Sequence, residues 1–387
     1  VEDRASKPPS VCIIGLDDYP SLTGQRHVEM VGGENVQHVL LARAWRQLGM
    51  DVSIIVFAQG QPKVHDVGGI RAIACCSKQD GIPGLRFAYP RTTSLIAAMR
   101  LADTDIYYQS LAGYATGVTA WFCRRHAKRF VFRISSDAYC VPGQQLIRFY
   151  RDRKVYEYGL RRADLILAQT ERQQSLLHAN YGLHSELVNT VVEAPVRAAL
   201  VKDVDVLWVA NFRAVKRSDL VIDLARRLPK LNFLVVGGGR EEYARRMRDA
   251  ARVLTNLTFV GPVPYEDVGV YFDRARVFLN TSSLEGFPNT FLQAWIRGVP
   301  VVTFFDPDGL IAKHGLGVAA RDLEHMTHAL TELAAQHELR ESIGRRAAAF
   351  SAESYSASIV ASRSRDLFSA LLSGDCGSPK DRCGAQL

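Results

Sequence analysis

The chain has 387 residues, 47% of them hydrophobic and 23% charged, with a formal net charge of +8. That length exceeds one ordinary core and points to two domains with a cleft, and the Gly and Pro content excludes a disordered, low-complexity chain. No apolar run reaches the ~18 residues of a membrane span, and the start, VEDRASKPPS, lacks the basic-then-apolar order of a secretory signal, so a cytoplasmic protein is expected.

In chain order, apolar strand candidates alternate with helical stretches. The first half offers VCIIGL, DVSIIVF, IRAIACC, DIYYQSL, RFVFRIS and ADLILAQ. Between the first two, Gly32-Gly33-Glu34-Asn35 opens a helix whose Val36, Val39, Leu40, Ala44 and Leu48 mark a buried face. The second half repeats the rhythm with VDVLWVAN, LNFLVVGG, LTFVG, ARVFLN and VPVVTF. Strands alternating with helices predict βαβ units and parallel sheets, hence an α/β chain of two Rossmann-like domains. The expected division is 1–196, 197–355, a terminal helix over 356–372 and a frayed tail over 373–387, with the weakest patterning around 192–202.

The seven cysteines, Cys12, Cys75, Cys76, Cys123, Cys140, Cys376 and Cys383, show no metal or disulfide spacing and read as reduced thiols. Asp103-Thr104-Asp105 and Asp203-Val204-Asp205 match a metal-binding DxD pattern, but each precedes a strand, so no metal site is expected. GGGREEYARR lacks the GxGxxG spacing of a nicotinamide site. Between residues 123 and 162 stand eleven Lys or Arg against three acids, a local +8 that equals the excess of the whole chain. There Leu146, Phe149, Tyr150 and Leu160 form an apolar face among arginines, which suits either an anionic lipid surface or a core helix with a solvated outer side. No nucleic-acid motif accompanies the charge.

Four loops follow strand ends: Gly32-Gly33, Gly237-Gly238-Gly239, Gly261-Pro262-Val263, and the stretch TSSLEGFPNTFLQAWIRGVP over 281–300. Glycine admits a ligand to backbone N–H groups, and a helix start favours phosphate. Arg213, Lys216 and Arg217 add cations after VDVLWVAN, where a leaving diphosphate would need its charge neutralised.

The order GGEN, VLWVAN with RAVKR, FVGPVP, then TSSLEGFPNTFLQAW resembles the retaining, nucleotide-sugar-dependent glycosyltransferases of GT-B architecture (glycosyltransferase family 4-like, glycosyl transferases group 1), over about residues 10 to 370. The resemblance implies two Rossmann-like domains facing a central cleft. The first takes the acceptor, the second the nucleotide-sugar donor, and the terminal helix crosses back to the first. It places Glu285 as the first acid of the family's Glu-seven-Glu motif, facing the transferred sugar, and Lys216 on the diphosphate. Gly286, Phe287, Pro288, Asn289 and Thr290 then meet sugar hydroxyls and diphosphate, Gly261 and Val263 the base, and Gly33 the region of phosphates and acceptor. Gly238, in the loop after LNFLVV, joins the donor-binding set.

Three positions depart from the family pattern. Gln293 replaces the second glutamate, and its amide oxygen can accept from a ribose hydroxyl, but without charge assistance. Asn211 stands where the family has an arginine, and Arg213 is the expected substitute. Gln109 and Ser110 end the strand that often ends in histidine.

The expected activity is hexosyl transfer from a UDP-, GDP- or ADP-linked sugar to a saccharide or lipid-linked hydroxyl in polysaccharide or glycoconjugate synthesis. It proceeds by metal-independent same-face displacement, with no cofactor beyond the donor, in the cytoplasm or at the inner face of its membrane. Here the protein mainly positions substrates and stabilises the pyrophosphate. Two other readings stay open, an inactive donor-binding subunit of a transferase complex and a sugar-nucleotide epimerase of similar double-Rossmann shape.

Overall fold

A computed structural model of the chain describes residues 8–24, 32–82, 85, 87–195 and 200–374. Cys376, Cys383, most of the expected tail and part of the 192–202 stretch lie outside the described residues. The chain forms two units, one running to Val191 and resuming at Ala357, the other spanning Val192–Ser356.

The first unit is built on an eight-stranded sheet: β1 Ser10–Ile14, β2 Asp51–Ala58, β3 Val64–Val67, β4 Ile70–Ser77, β5 Ile106–Gln109, β6 Arg129–Arg133, β7 Leu165–Ala168 and β8 Glu186–Leu187. Their order is β3-β4-β2-β1-β5-β6-β7-β8, parallel throughout except for the antiparallel pair β3/β4. β5 and β7 are wholly buried, and β7, LILA, shows the unbroken apolar run of a strand covered on both faces. The order turns back between β1 and β5, and in open parallel sheets ligands bind at the carboxyl ends of such a pair.

The helix Gly33–Gln47 is buried more broadly than the predicted stripe. Asn35, Gln37, His38 and Trp45 join Val36, Val39, Leu40 and Ala44, while Leu48 lies beyond its end and is half-buried. Trp45 donates from Nε1 to the Ser364 hydroxyl at 2.9 Å and meets Phe368 edge-on at 5.4 Å. The helix Ala357–Ser373 is thereby docked on the first unit.

The second unit has a parallel six-stranded sheet: β9 Val204–Val209, β10 Phe233–Val236, β11 Leu257–Gly261, β12 Ala275–Asn280, β13 Val301–Thr303 and β14 Gly317–Ala319, in the order β11-β10-β9-β12-β13-β14. Val206 and Trp208 enter one apolar cluster and Leu207 the other; Phe233 and Val235 alternate likewise with Leu234 and Val236. This two-residue period puts a core on each face of the sheet. Its switch point lies between β9 and β12, registered through Val206↔Val277 and Leu207↔Phe278.

The DxD pairs serve strand starts. Asp203 pairs with Arg274 at 2.7 Å and Asp205 with Arg276 at 2.5 Å, while Asp105 accepts from the Ser10 amide and hydroxyl. Among the described residues, no cluster of His, Cys, Asp and Glu could hold a metal ion. The basic window is also partly consumed internally, with Lys128 on Asp103, Arg129 on Asp164 and Arg133 on Glu34. The two readings of the apolar face part here. In the helix Tyr150–Leu160, Leu160 is fully buried with Tyr156, so it belongs to the core and not to an outer apolar face.

Candidate active site

In the second unit, the loops leaving β9 and β12 start side by side, because those strands are neighbours. Hydrogen bonds lace the two loops together. The Thr281 hydroxyl donates to the Lys216 carbonyl at 2.6 Å and accepts from Trp208 Nε1 at 3.1 Å, and the Ser283 amide donates to the Val215 carbonyl at 2.8 Å. Arg217, held at φ 47°, turns back so that Nε donates to the Thr281 carbonyl at 2.7 Å, with its guanidinium 4.7 Å from the Phe304 ring centre. The Thr-Ser-Ser run therefore fastens the short turn Ala214–Lys216 in place.

The consequence is an ion pair between Lys216 Nζ and Glu285 Oε1, side chains 22% and 13% exposed. These residues lie 69 positions apart, and the lacing brings them together at the switch point. An ammonium beside a carboxylate here offers a cation for phosphate oxygens and an acceptor for a sugar hydroxyl.

The other predicted donor residues surround this edge. Phe287 is buried against Trp295 and Tyr355, which anchors the Gly286–Pro288 turn. Pro288 precedes the short helix Asn289–Trp295, which carries Asn289, Thr290 and Gln293. Gln293 bonds to the hydroxyl of half-buried Tyr265, whose pKa desolvation raises. Gly261 accepts from the Gly237 amide at 2.9 Å and adopts φ 90°, a conformation L side chains rarely adopt. Gly237 itself approaches Ala210 so closely that an added Cβ would lie 2.0 Å from its carbonyl oxygen. The Gly238 carbonyl accepts from the Phe212 amide at 2.6 Å. Val263 packs on the core, Asn211 is half-buried, and Arg213 is exposed at the start of the Ala214–Lys216 turn. Arg217, not Arg213, is the arginine built into the loop framework.

Gly33 belongs to the first unit, where it opens the helix Gly33–Gln47. The switch point there carries a buried polar cluster that sequence reading missed. His38 Nδ1 donates to Asp18 Oδ2 at 2.7 Å, and its Nε2 shares a hydrogen bond with the Ser110 hydroxyl at 2.6 Å. Asn35 donates to Asp18 Oδ1 at 2.8 Å. Asp18 follows β1, Ser110 follows β5, and His38 comes from the helix between β1 and β2, so a histidine does meet this strand end from another element. Burial disfavours the His38 imidazolium, but the Asp18 carboxylate outweighs it and the pKa is raised. Beside them Glu34 pairs with Arg133 at 3.4 Å and accepts from Gln169 at 3.2 Å. The available signal was polar residues, Asn35, Gln37 and His38, in a helix turn where a core was expected.

Residues 195–350 match the family model for glycosyl transferases group 1, and residues 32–193 match that for the glycosyl transferase 4-like domain. The D-inositol 3-phosphate glycosyltransferase of Mycobacterium bovis is 28% identical over 181 residues, 41% of this chain. The chain spans only 33% to 42% of the length of the curated relatives it matches. The solved sucrose-phosphate synthase of Thermosynechococcus elongatus superposes with a TM-score of 0.77 at 18% identity, covering 95% of this chain and 100% of that one. Anabaena HepE, solved in complex with UDP and glucose, gives 0.72 at 13% identity, covering 94% and 100%. At these identities the structural likeness shows a shared fold.

Proposed function

Because the chain belongs to the GT-B glycosyltransferases, we propose that it moves a hexosyl group from a nucleoside-diphosphate sugar to a hydroxyl of a saccharide or lipid-linked acceptor, with retention at the anomeric carbon. The observation that carries this reading is the Lys216–Glu285 pair at the β9/β12 switch point, pinned by Thr281, Ser283 and Arg217. When the donor binds, its diphosphate takes over Lys216 and a sugar hydroxyl takes over Glu285. The bond between the anomeric carbon and the phosphate oxygen then breaks while Lys216, aided by exposed Arg213, neutralises the charge that develops on that oxygen. A preorganised donor of this kind contributes about 10² to 10³ in rate. The acceptor oxygen adds on the same face, and its proton passes to the departing phosphate oxygen, so neither a protein base nor a metal takes part. Tyr265 and Gln293 serve the ribose, and the loop at Gly261 and Val263 serves the base. HepE, in complex with UDP and glucose, makes UDP the first base to try.

The test is calorimetric titration of UDP, GDP, ADP and their common sugars, with and without magnesium, followed by turnover assays. Stabilisation by one nucleotide, independent of magnesium and lost in Lys216→Ala, is the expected result; a ligand at 100 times its Kd adds about 2.7 kcal/mol. No binding by any nucleotide refutes the donor site. Binding without transfer favours a subunit that needs a partner, and interconversion of the free sugar nucleotide favours an epimerase.

A further inference from the structure

The first unit exposes a group of large apolar side chains that the transfer chemistry does not use. Leu146 is 65% exposed, Phe149 55% and Tyr150 70%, where the chain enters the helix Tyr150–Leu160. From elsewhere in the sequence comes Tyr89, 74% exposed. The two segments adjoin because the Arg151 guanidinium lies 3.5 Å from the Phe87 ring centre. The inner side of the helix, through Tyr156, Gly159 and Leu160, is locked in the core, so the outer side is held rigidly in place.

Cations surround this apolar group. Arg148 is exposed, lies 5.3 Å from the Phe149 ring, and has no acidic partner among the described residues. Lys154 sits 5.5 Å from the Tyr150 ring, and Arg91 reaches the Lys78 carbonyl. The nearby acids, Asp152 and Glu157, are already paired with Arg151 and Lys154. Apolar side chains within a cationic ring, with two tyrosines presenting polar tips, match the chemistry of a phospholipid interface. Among the described residues, no helix is long and apolar enough to cross a membrane, so the contact is interfacial.

We propose that this patch seats the protein on an anionic lipid surface. Leu146, Phe149 and Tyr150 enter the headgroup layer, and Arg148, the exposed cation of the patch left without an acidic partner among the described residues, meets its phosphates. The assignment concerns the surface alone and holds whichever sugar the enzyme transfers.

The experiment is cosedimentation of the full chain with phosphatidylglycerol–phosphatidylcholine vesicles and with pure phosphatidylcholine vesicles, at low and high salt. The wild type is expected to pellet with the anionic vesicles and to be released by salt, and Arg148→Glu is expected to weaken partitioning at least about fivefold, the equivalent of one surface cation. Phe149→Ser with Tyr150→Ser is expected to weaken it about tenfold or more, through lost apolar burial. Arg246→Glu, on the exposed side of a second-unit helix, leaves binding unchanged. Melting temperatures within a degree or so of the wild type check that each variant is folded. The proposal is overturned if the wild type stays in the supernatant, binds neutral vesicles equally well, or is matched by both patch variants.

Discussion

The buried Asp18–His38 pair makes the stability of the first unit depend on pH in a definite direction. Both side chains are fully inaccessible, with Nδ1 and Oδ2 2.7 Å apart. Burial alone would lower the imidazole pKa, but the Asp18 charge and hydrogen bond, with Glu34 beyond, raise it above the ordinary 6.5. A group whose folded pKa is raised stabilises the fold fully below its unfolded value, and that contribution is lost as pH rises through the folded value. Asp18→Asn preserves shape and removes the charge. Breaking a buried pair costs ~3 to 5 kcal/mol, and the low end applies because Asn35 still holds the other oxygen, 2.8 Å away. For a unit of this size each kcal/mol moves Tm by about 2 to 4 °C, so a drop of about 6 to 12 °C is expected at pH 6. Scanning calorimetry of both proteins at pH 6 and pH 8.5 decides the matter. The wild-type advantage should shrink at the higher pH. A variant as stable as the wild type at pH 6, or an advantage that grows with pH, refutes the charged pair.

Three further outcomes follow from the same geometry. Lys216→Ala and Glu285→Ala should each lower the transfer rate at least about a hundredfold while leaving Tm nearly unchanged, because a partly exposed pair adds little to stability; near-normal single-turnover rates in both would remove them from the site. Gln293→Glu should tighten nucleotide binding about fivefold by calorimetry, as a ribose hydroxyl then donates to a carboxylate; equal or weaker affinity counts against Gln293 on the ribose. Trp45→Ala should cost about 3 to 5 kcal/mol and speed amide exchange across Ala357–Ser373, since that helix loses both the Ser364 bond and the Phe368 contact. Unchanged exchange there would mean the helix is held by other contacts.

The strands visible in the sequence are those of parallel sheets covered on both faces, where burial forces unbroken apolar runs such as FLVV and LILA. Those missed, β3, β8 and β14, are short and lie at sheet edges, and VHDV is exposed at alternate positions. Edge strands as short as these bury too little to leave a pattern, whereas the five-residue edge strand β11 was visible as LTFVG. The candidate donor loops were legible through a motif, yet the motif could not say which arginine is structural. That is decided by Arg217 at φ 47°, which folds its side chain onto Thr281 and Phe304 and leaves Arg213 at the surface.

The cluster of Asp18, His38 and Ser110 marks the limit of reading along the chain. The three residues are separated by 20 and 72 positions, and no spacing rule joins them. What joins them is strand order. β1 and β5 are adjacent because the chain builds outward from β1 in one direction, through β2 and β4, and then in the other, through β5, β6 and β7. Residues that follow those two strands must therefore meet, and the helix after β1 must pack over them. In the second unit, the same rule brings Lys216 and Glu285 together after β9 and β12. Once both sheets are drawn from their apolar runs, the two switch points can be located, and the polar residues just beyond them become candidates before any motif is consulted. By that reasoning Asp18 and Ser110 were deducible from topology, and His38 from being a buried polar residue on the helix that covers them.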